Sequence, residues 1–151
     1  MDDSSTGDIV LIDRLASFLR EDRWEWDKTG VIDLNDISNA IMNGQQEQPE
    51  LYGDTWKHPP EGKKSRDWHI GRVIYFINHQ DEIKDLEIDN LCADNYIFPQ
   101  PIITDGNHRF LAAMWLQKEW KMQTVHCFYG GRLDLLDYLT GEINNRDFEI
   151  L

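Results

Sequence analysis

The stretch Pro101-Ile102-Ile103-Thr104-Asp105-Gly106-Asn107-His108-Arg109-Phe110-Leu111-Ala112-Ala113 constrains this chain more than any other. Its first residues are apolar and β-branched, the composition of a buried strand. Asp105-Gly106 breaks that pattern, because glycine adopts backbone conformations closed to other residues and lets another group approach closely. From Asn107 onward the composition turns helical. Phe110, Ala113, Met114 and Gln117 fall on one stripe, and Leu111, Ala112 and Trp115 on the next. The expected structure is therefore a strand, a tight turn and a helix. The N–H groups of such a helix's first turn lack intrahelical partners and carry partial positive charge, which suits an anion such as phosphate. An acid, a glycine, an imidazole and a guanidinium converge at this turn, so Asp105, Gly106, Asn107, His108 and Arg109 are the leading candidate site residues.

The flanking chain supplies the rest of an α+β fold. Apolar spacing predicts helices over residues 9–20, 33–43, 67–79 and 132–139. Asp8, Asp33 and Asp67 are the expected N-caps of the first three, and Gly44 closes the second. Leu133, Leu136 and Leu139 are expected to face inward from the last. Period-two alternation predicts strands over 86–92 and 124–129, and a return strand over 96–104 after the turn Ala93-Asp94-Asn95. Pro99 and Pro101 place that return strand at an edge or a bulge, since proline donates no ladder hydrogen bond. A single compact domain follows, a small mixed sheet flanked by helices. Residues 1–66 form its helical N-terminal region and long loop, and residues 67–151 its core.

Charge narrows the function classes. The net charge is −13 over 151 residues. Residues 1–50 carry twelve acids against four bases. So acidic a surface repels a phosphate backbone at long range, which disfavours duplex DNA without a local basic patch. The only basic cluster is Lys57, His58, Lys63, Lys64 and Arg66, inside the proline- and glycine-bearing stretch 45–66. It reads either as a solvated loop or as a phosphate-collecting flap over the Asp105–Arg109 turn. No apolar run is long enough for a membrane span, and the N-terminus lacks the basic start of a signal peptide. Cys92 and Cys127 form no C-x-x-C, so free thiols and a cytoplasmic location are expected.

Several residues carry two readings. Trp24 and Trp26, spaced by two among charges, fit an extended segment that either covers the core edge or presents a stacking or partner-binding surface. His69 and Arg72 lie three apart on one helix face, in a structural or a site role. Asp105 either caps the helix or holds Mg²⁺ with water in the remaining positions. His108 is either a structural imidazole or a group that donates to phosphate or relays a proton. Arg109 either forks onto phosphate oxygens or pairs with Glu87 or Asp89. His126 and Cys127, adjacent on a strand, should point to opposite faces. The five histidines show no metal-ligand spacing.

The order strand, Asp-Gly-x-His-Arg, alanine-bearing helix, strand and short helix resembles the ParB/sulfiredoxin superfamily. The match lies on residues 101–109 with Ala112 and Ala113, and extends more weakly over 86–131. The resemblance implies that Gly106, Asn107, His108 and Arg109 line a nucleoside triphosphate, ATP or CTP, with Mg²⁺. Beside it, the chemistry of the residues themselves makes Asp105 and His108 the catalytic candidates, and the basic loop makes Lys57, Lys63 and Lys64 the phosphate-collecting residues. The activity implied is nucleotide hydrolysis or phosphoryl transfer, with nuclease activity as a sub-case. Sulfiredoxin chemistry needs a cysteine where this chain has Asn107. Partition proteins add downstream domains for which no room is expected here. The alternative is a non-catalytic acidic protein that uses its N-terminal face to bind a basic partner or mimic nucleic acid.

Overall fold

The computed structural model describes residues 7–50 and 64–146. The chain opens with strand β1 (Asp8–Leu11) and passes directly into the short helix α1 (Ile12–Ala16). This corrects the helix expected over 9–20. Ile9-Val10-Leu11 pairs antiparallel with residues 124–127, with Asp8 opposite Cys127, so Asp8 caps nothing. Cross-strand pairing of a β-branched run overrides its helical spacing, and Val10 is fully buried by it.

Helix α2 (Leu34–Met42) has the expected cap. Asp33 accepts from the Asp36 N–H, and Asp36 accepts from the Asp33 N–H, so two orphan donors are satisfied reciprocally. Helix α3 (Arg66–Asn78) is capped by Ser65, whose hydroxyl accepts from the Trp68 N–H at 3.1 Å. Asp67, the expected cap, lies one residue inside the first turn. Its charge still suits that end of the helix.

Strands β2 (Leu86–Ala93) and β3 (Tyr96–Asp105) form a hairpin whose turn residues Asp94 and Asn95 have φ of 51° and 65°. Both are left-handed, the conformation that two-residue hairpins require. Helix α4 (Asn107–Lys118), strand β4 (Thr124–Tyr129) and helix α5 (Leu133–Thr140) complete the described chain. The sheet order is β1-β4-β2-β3, with β4 and β2 parallel and the outer pairs antiparallel. β3 is an edge strand, as its prolines demand, and its register with β2 shifts between Asn90 and Cys92.

Val10, Leu86, Ile88, Ile103, Val125 and Cys127 line the inner sheet face. His126 is half-buried on the opposite side from Cys127, as strand alternation requires. Helix α4 lies across the core with Phe110, Leu111, Ala112, Ala113 and Leu116 all buried. A helix buried on most sides needs no single apolar stripe, which explains the two stripes in its sequence. Burial of one Leu or Phe side chain contributes about 1.5–3 kcal/mol, so Phe110, Leu111 and Leu116 tie α4 firmly into the core, as Ile70, Val73, Ile74, Phe76 and Ile77 tie α3. From α5 the inward residues are Leu135 and Leu139, whereas Leu133 is 73 % exposed. Leu136 packs against the core as expected, but Leu133 lies off the stripe that Leu135, Leu136 and Leu139 define at helical spacing.

A polar knot fixes the far end of the sheet. The buried Asn90 amide donates to the Phe98 carbonyl at 2.9 Å and accepts from the Arg132 N–H at 2.8 Å. The Tyr129 hydroxyl lies 2.5 Å from Asn90 Oδ1 and 2.7 Å from the Arg132 carbonyl. Gly131 crosses this knot with φ of 126°, and a Cβ there would lie 1.9 Å from Asn90 Oδ1.

Candidate functional site

The turn between β3 and α4 takes the expected form. Gly106 has φ of 106°, and a Cβ on it would meet Leu86 Cγ at 2.8 Å. Both conformation and space therefore require glycine. Its carbonyl accepts the Phe110 N–H at 2.8 Å, and no side chain caps the helix. Asp105 is thus not the cap. Its carboxylate accepts from Arg109 Nη2 at 3.2 Å. Arg109 Nη1 donates to the Lys84 carbonyl at 2.6 Å, so this guanidinium is anchored to the approach of β2 rather than to Glu87 or Asp89.

A second guanidinium takes the other side of the turn. Arg23, in a short 3₁₀ turn (Glu21–Arg23), donates from Nε to Asn107 Oδ1 at 3.0 Å and from Nη2 to the Ile103 carbonyl. A cleft of 460 Å³ opens here, bounded by Arg20, Arg23, Trp26, Pro101, Ile102 and Asn107, with Asp22 and Glu25 also in its wall. Arg109 is not among its lining residues. Arg23 was not singled out in the sequence, because 84 positions separate it from Asn107 and no local pattern marks it.

His108 turns inward and is 9 % exposed. Its Nε2 lies 3.0 Å from Nδ1 of His69, and His69 Nε2 lies 2.8 Å from Asp27 Oδ2. The planes of the two imidazoles lie 8° from parallel, and Trp26 stacks on His108 with centroids 4.1 Å apart. An ionised Asp27 can only accept, so His69 Nε2 must donate to it. His69 Nδ1 is then the acceptor, and His108 Nε2 the donor. The chain of partners fixes both tautomers. Asp27 also accepts the Lys64 N–H at 2.9 Å, and the Lys64 ammonium lies 5.4 Å from the Trp68 ring centre.

Burial, with the neighbouring His69, Arg72 and Arg109, pushes the His108 imidazole down to about 3. His69 is also lowered by burial, which outweighs the opposing pull of Asp27. Both rings are neutral near pH 7, so His108 is not a charged donor to phosphate. Arg72 is buried, donates to the Gln48 carbonyl at 3.1 Å and lies over the Phe76 ring. Of the pair His69 and Arg72, His69 reaches the turn directly.

Trp24 is 3 % exposed and packs on Phe110. Trp24 therefore takes the core-covering role, whereas Trp26 covers the histidine pair with one face and also lines the cleft. Among the described residues, no group of three or more His, Cys, Asp or Glu side chains is placed to hold a metal ion. Lys57 and Lys63 lie outside the described residues. No helix among the described residues is long and apolar enough to cross a membrane. Comparison with protein-family models, with characterised proteins and with solved structures yields no match to this chain.

Proposed function

We propose that the protein binds a nucleoside triphosphate, ATP or CTP, at the start of α4, and that it acts as a nucleotide hydrolase or phosphoryl-transfer enzyme. One observation carries this reading: the uncapped start of α4 opens, at Asn107, into a cleft that also holds Arg20 and Arg23. Helix-start amides and arginines together favour phosphate oxygens. Asp22 and Glu25 in the same wall oppose a bare anion. They favour a ligand that brings hydroxyl donors beside its phosphates, as a ribose does.

Isothermal titration with ATP and CTP, with and without Mg²⁺, tests the reading. Binding that weakens on Arg23→Ala supports it. Absence of heat with both nucleotides at high protein concentration overturns it.

A second reading, the acidic interaction protein, draws on the outer sheet face rather than on the N-terminal acidic face. The outer sheet face exposes Ile9 and Phe128 beside Glu87 and Asp89. Capture of a basic peptide that is lost on Glu87→Lys with Asp89→Lys would favour it over the nucleotide reading.

A further inference from the structure

We infer that the outer face of the sheet docks a cationic segment of a protein partner through one arginine side chain, seated in a cleft between Glu87, Asp89 and Phe128. This deepens the acidic-partner reading above and rests on it. Strand alternation sets the face. Leu86, Ile88, Val125 and Cys127 point into the core, so Glu87, Asp89 and Phe128 point away from it, and all three are exposed. Phe128 is level with Glu87 where β4 runs parallel to β2, and Ile9 is opposite His126 on the next strand. The face thus carries apolar surface, with Ile9 53 % and Phe128 41 % exposed, bordered by two acids.

Glu87, Asp89 and Phe128 line a cleft of 340 Å³ together with Thr104, Tyr129 and Gly130. That volume is at the lower end of the range of about 300–1,000 Å³ for ligand clefts, and suits one long side chain with its head group. The charge in the cleft is uncompensated. Among the described residues, the Glu87 carboxylate has no hydrogen-bond or ion-pair partner. The Thr104 hydroxyl donates to the Glu87 backbone carbonyl instead, at 3.2 Å. Asp89 Oδ1 accepts the Asn90 N–H at 2.7 Å, which orients that carboxylate without neutralising it. Gly130 puts no side chain beside it: a Cβ there would lie 3.8 Å from Asp89 Oδ1. Arg109 is engaged by Asp105 and the Lys84 carbonyl, and His126 by Asp85 at 3.0 Å.

The occupant follows from charge and shape. Same-face neighbours on a strand are about 6.6 Å apart, twice the rise per residue, so Glu87 and Asp89 can both reach one guanidinium. A planar guanidinium donates to both carboxylates and stacks on the Phe128 ring, whereas an ammonium is a compact, strongly hydrated point charge. A second copy of this chain is a poor occupant, because a net charge of −13 on each sets acid against acid. The same charge opposes nucleic acid and anionic lipid.

The test uses backbone-amide NMR of the full chain titrated with capped peptides that differ only in a central arginine, lysine or citrulline between leucines. The arginine peptide should shift the amides of 87–89 and 128–130. It should bind about tenfold tighter than the neutral citrulline peptide, and about twofold to fivefold tighter than the lysine peptide. Glu87→Gln with Asp89→Asn should remove the tenfold margin, and it keeps an acceptor for the Asn90 N–H. Phe128→Ala should erase the preference for arginine over lysine. Shifts confined to another surface overturn the inference. So does equal binding of the arginine and lysine peptides; if that binding still maps to this face and is lost in the double variant, the acidic-partner reading stands alone. Binding of neither cationic peptide overturns both. Sedimentation of the chain as a dimer that Phe128→Ala dissociates would put a second copy on this face, and overturns the inference as well.

Discussion

Two buried polar knots hold this molecule, and they are built from different chemistry. The knot at Asn90 uses an amide, a phenol and backbone groups, and among its contacts no charged group is needed. The knot at His108 uses two imidazoles and a carboxylate. An amide knot of this kind has one protonation state across ordinary pH, so it can only fix geometry. A histidine–carboxylate line has several states, so the same burial makes it responsive. Both join distant segments. The first borders a cleft of 340 Å³ through Tyr129, and the second borders the cleft of 460 Å³ through Trp26 and through Asn107, the residue that precedes His108.

The comparison breaks first at Gly131. Gly131→Ala places a Cβ against Asn90 at a positive φ, and should cost about 3 kcal/mol or more in chemical denaturation. Asn90→Leu should cost about 2–3 kcal/mol, because it strands the Phe98 carbonyl and the Arg132 N–H without partners. Both losses should be equal at pH 7 and pH 5.

The His108 knot should behave otherwise. Its imidazole takes up a proton near 6.5 when unfolded but only near 3 when folded. The unfolded state therefore binds more protons between those values. Stability is full above about pH 6.5 and falls as pH drops, by up to about 1.4 kcal/mol per pH unit from this ring. His108→Phe should flatten the part of the acid slope between pH 6.5 and 5, read from denaturation midpoints. An unchanged slope would mean that the ring is already protonated in the fold.

The two arginines at the turn sharpen the comparison with smaller effects. Arg23→Ala should weaken nucleotide binding about tenfold, the loss of one charge-assisted contact of about 1.4 kcal/mol. Arg109→Ala should weaken it less than Arg23→Ala does, because Arg109 is tied to Asp105 and Lys84 away from the cleft lining. The reverse ranking in calorimetry would place the phosphate on the Arg109 side.

Much of the fold was legible where local chemistry is decisive. The hairpin turn at Asp94-Asn95 needs left-handed residues, and both residues tolerate that conformation. Asp33 caps α2 through contacts only three residues away. The edge position of β3 follows from prolines that cannot donate. The errors share a cause. Residues 8–11 became a strand because β4 was available to pair with them, and Leu133 points outward because the core selects the stripe of Leu135, Leu136 and Leu139. At the site, Gly106 was legible through its own steric need. Arg23, Trp26, Asp27 and His69 were not legible as a group, because the contacts that make them one site span long separations in the chain.

By itself, the sequence determined the strand, the glycine turn and the helix at 101–118, since backbone conformation and burial of these residues are set within a few neighbours. Only the tertiary structure decided what surrounds that turn. Packing of α3 against α4 brings His69 onto His108, and the return of residues 20–27 over the core puts Arg23 and Trp26 at its mouth. A hydrogen bond across the fold depends on where two backbones come to rest, and that is fixed by the burial of the whole core.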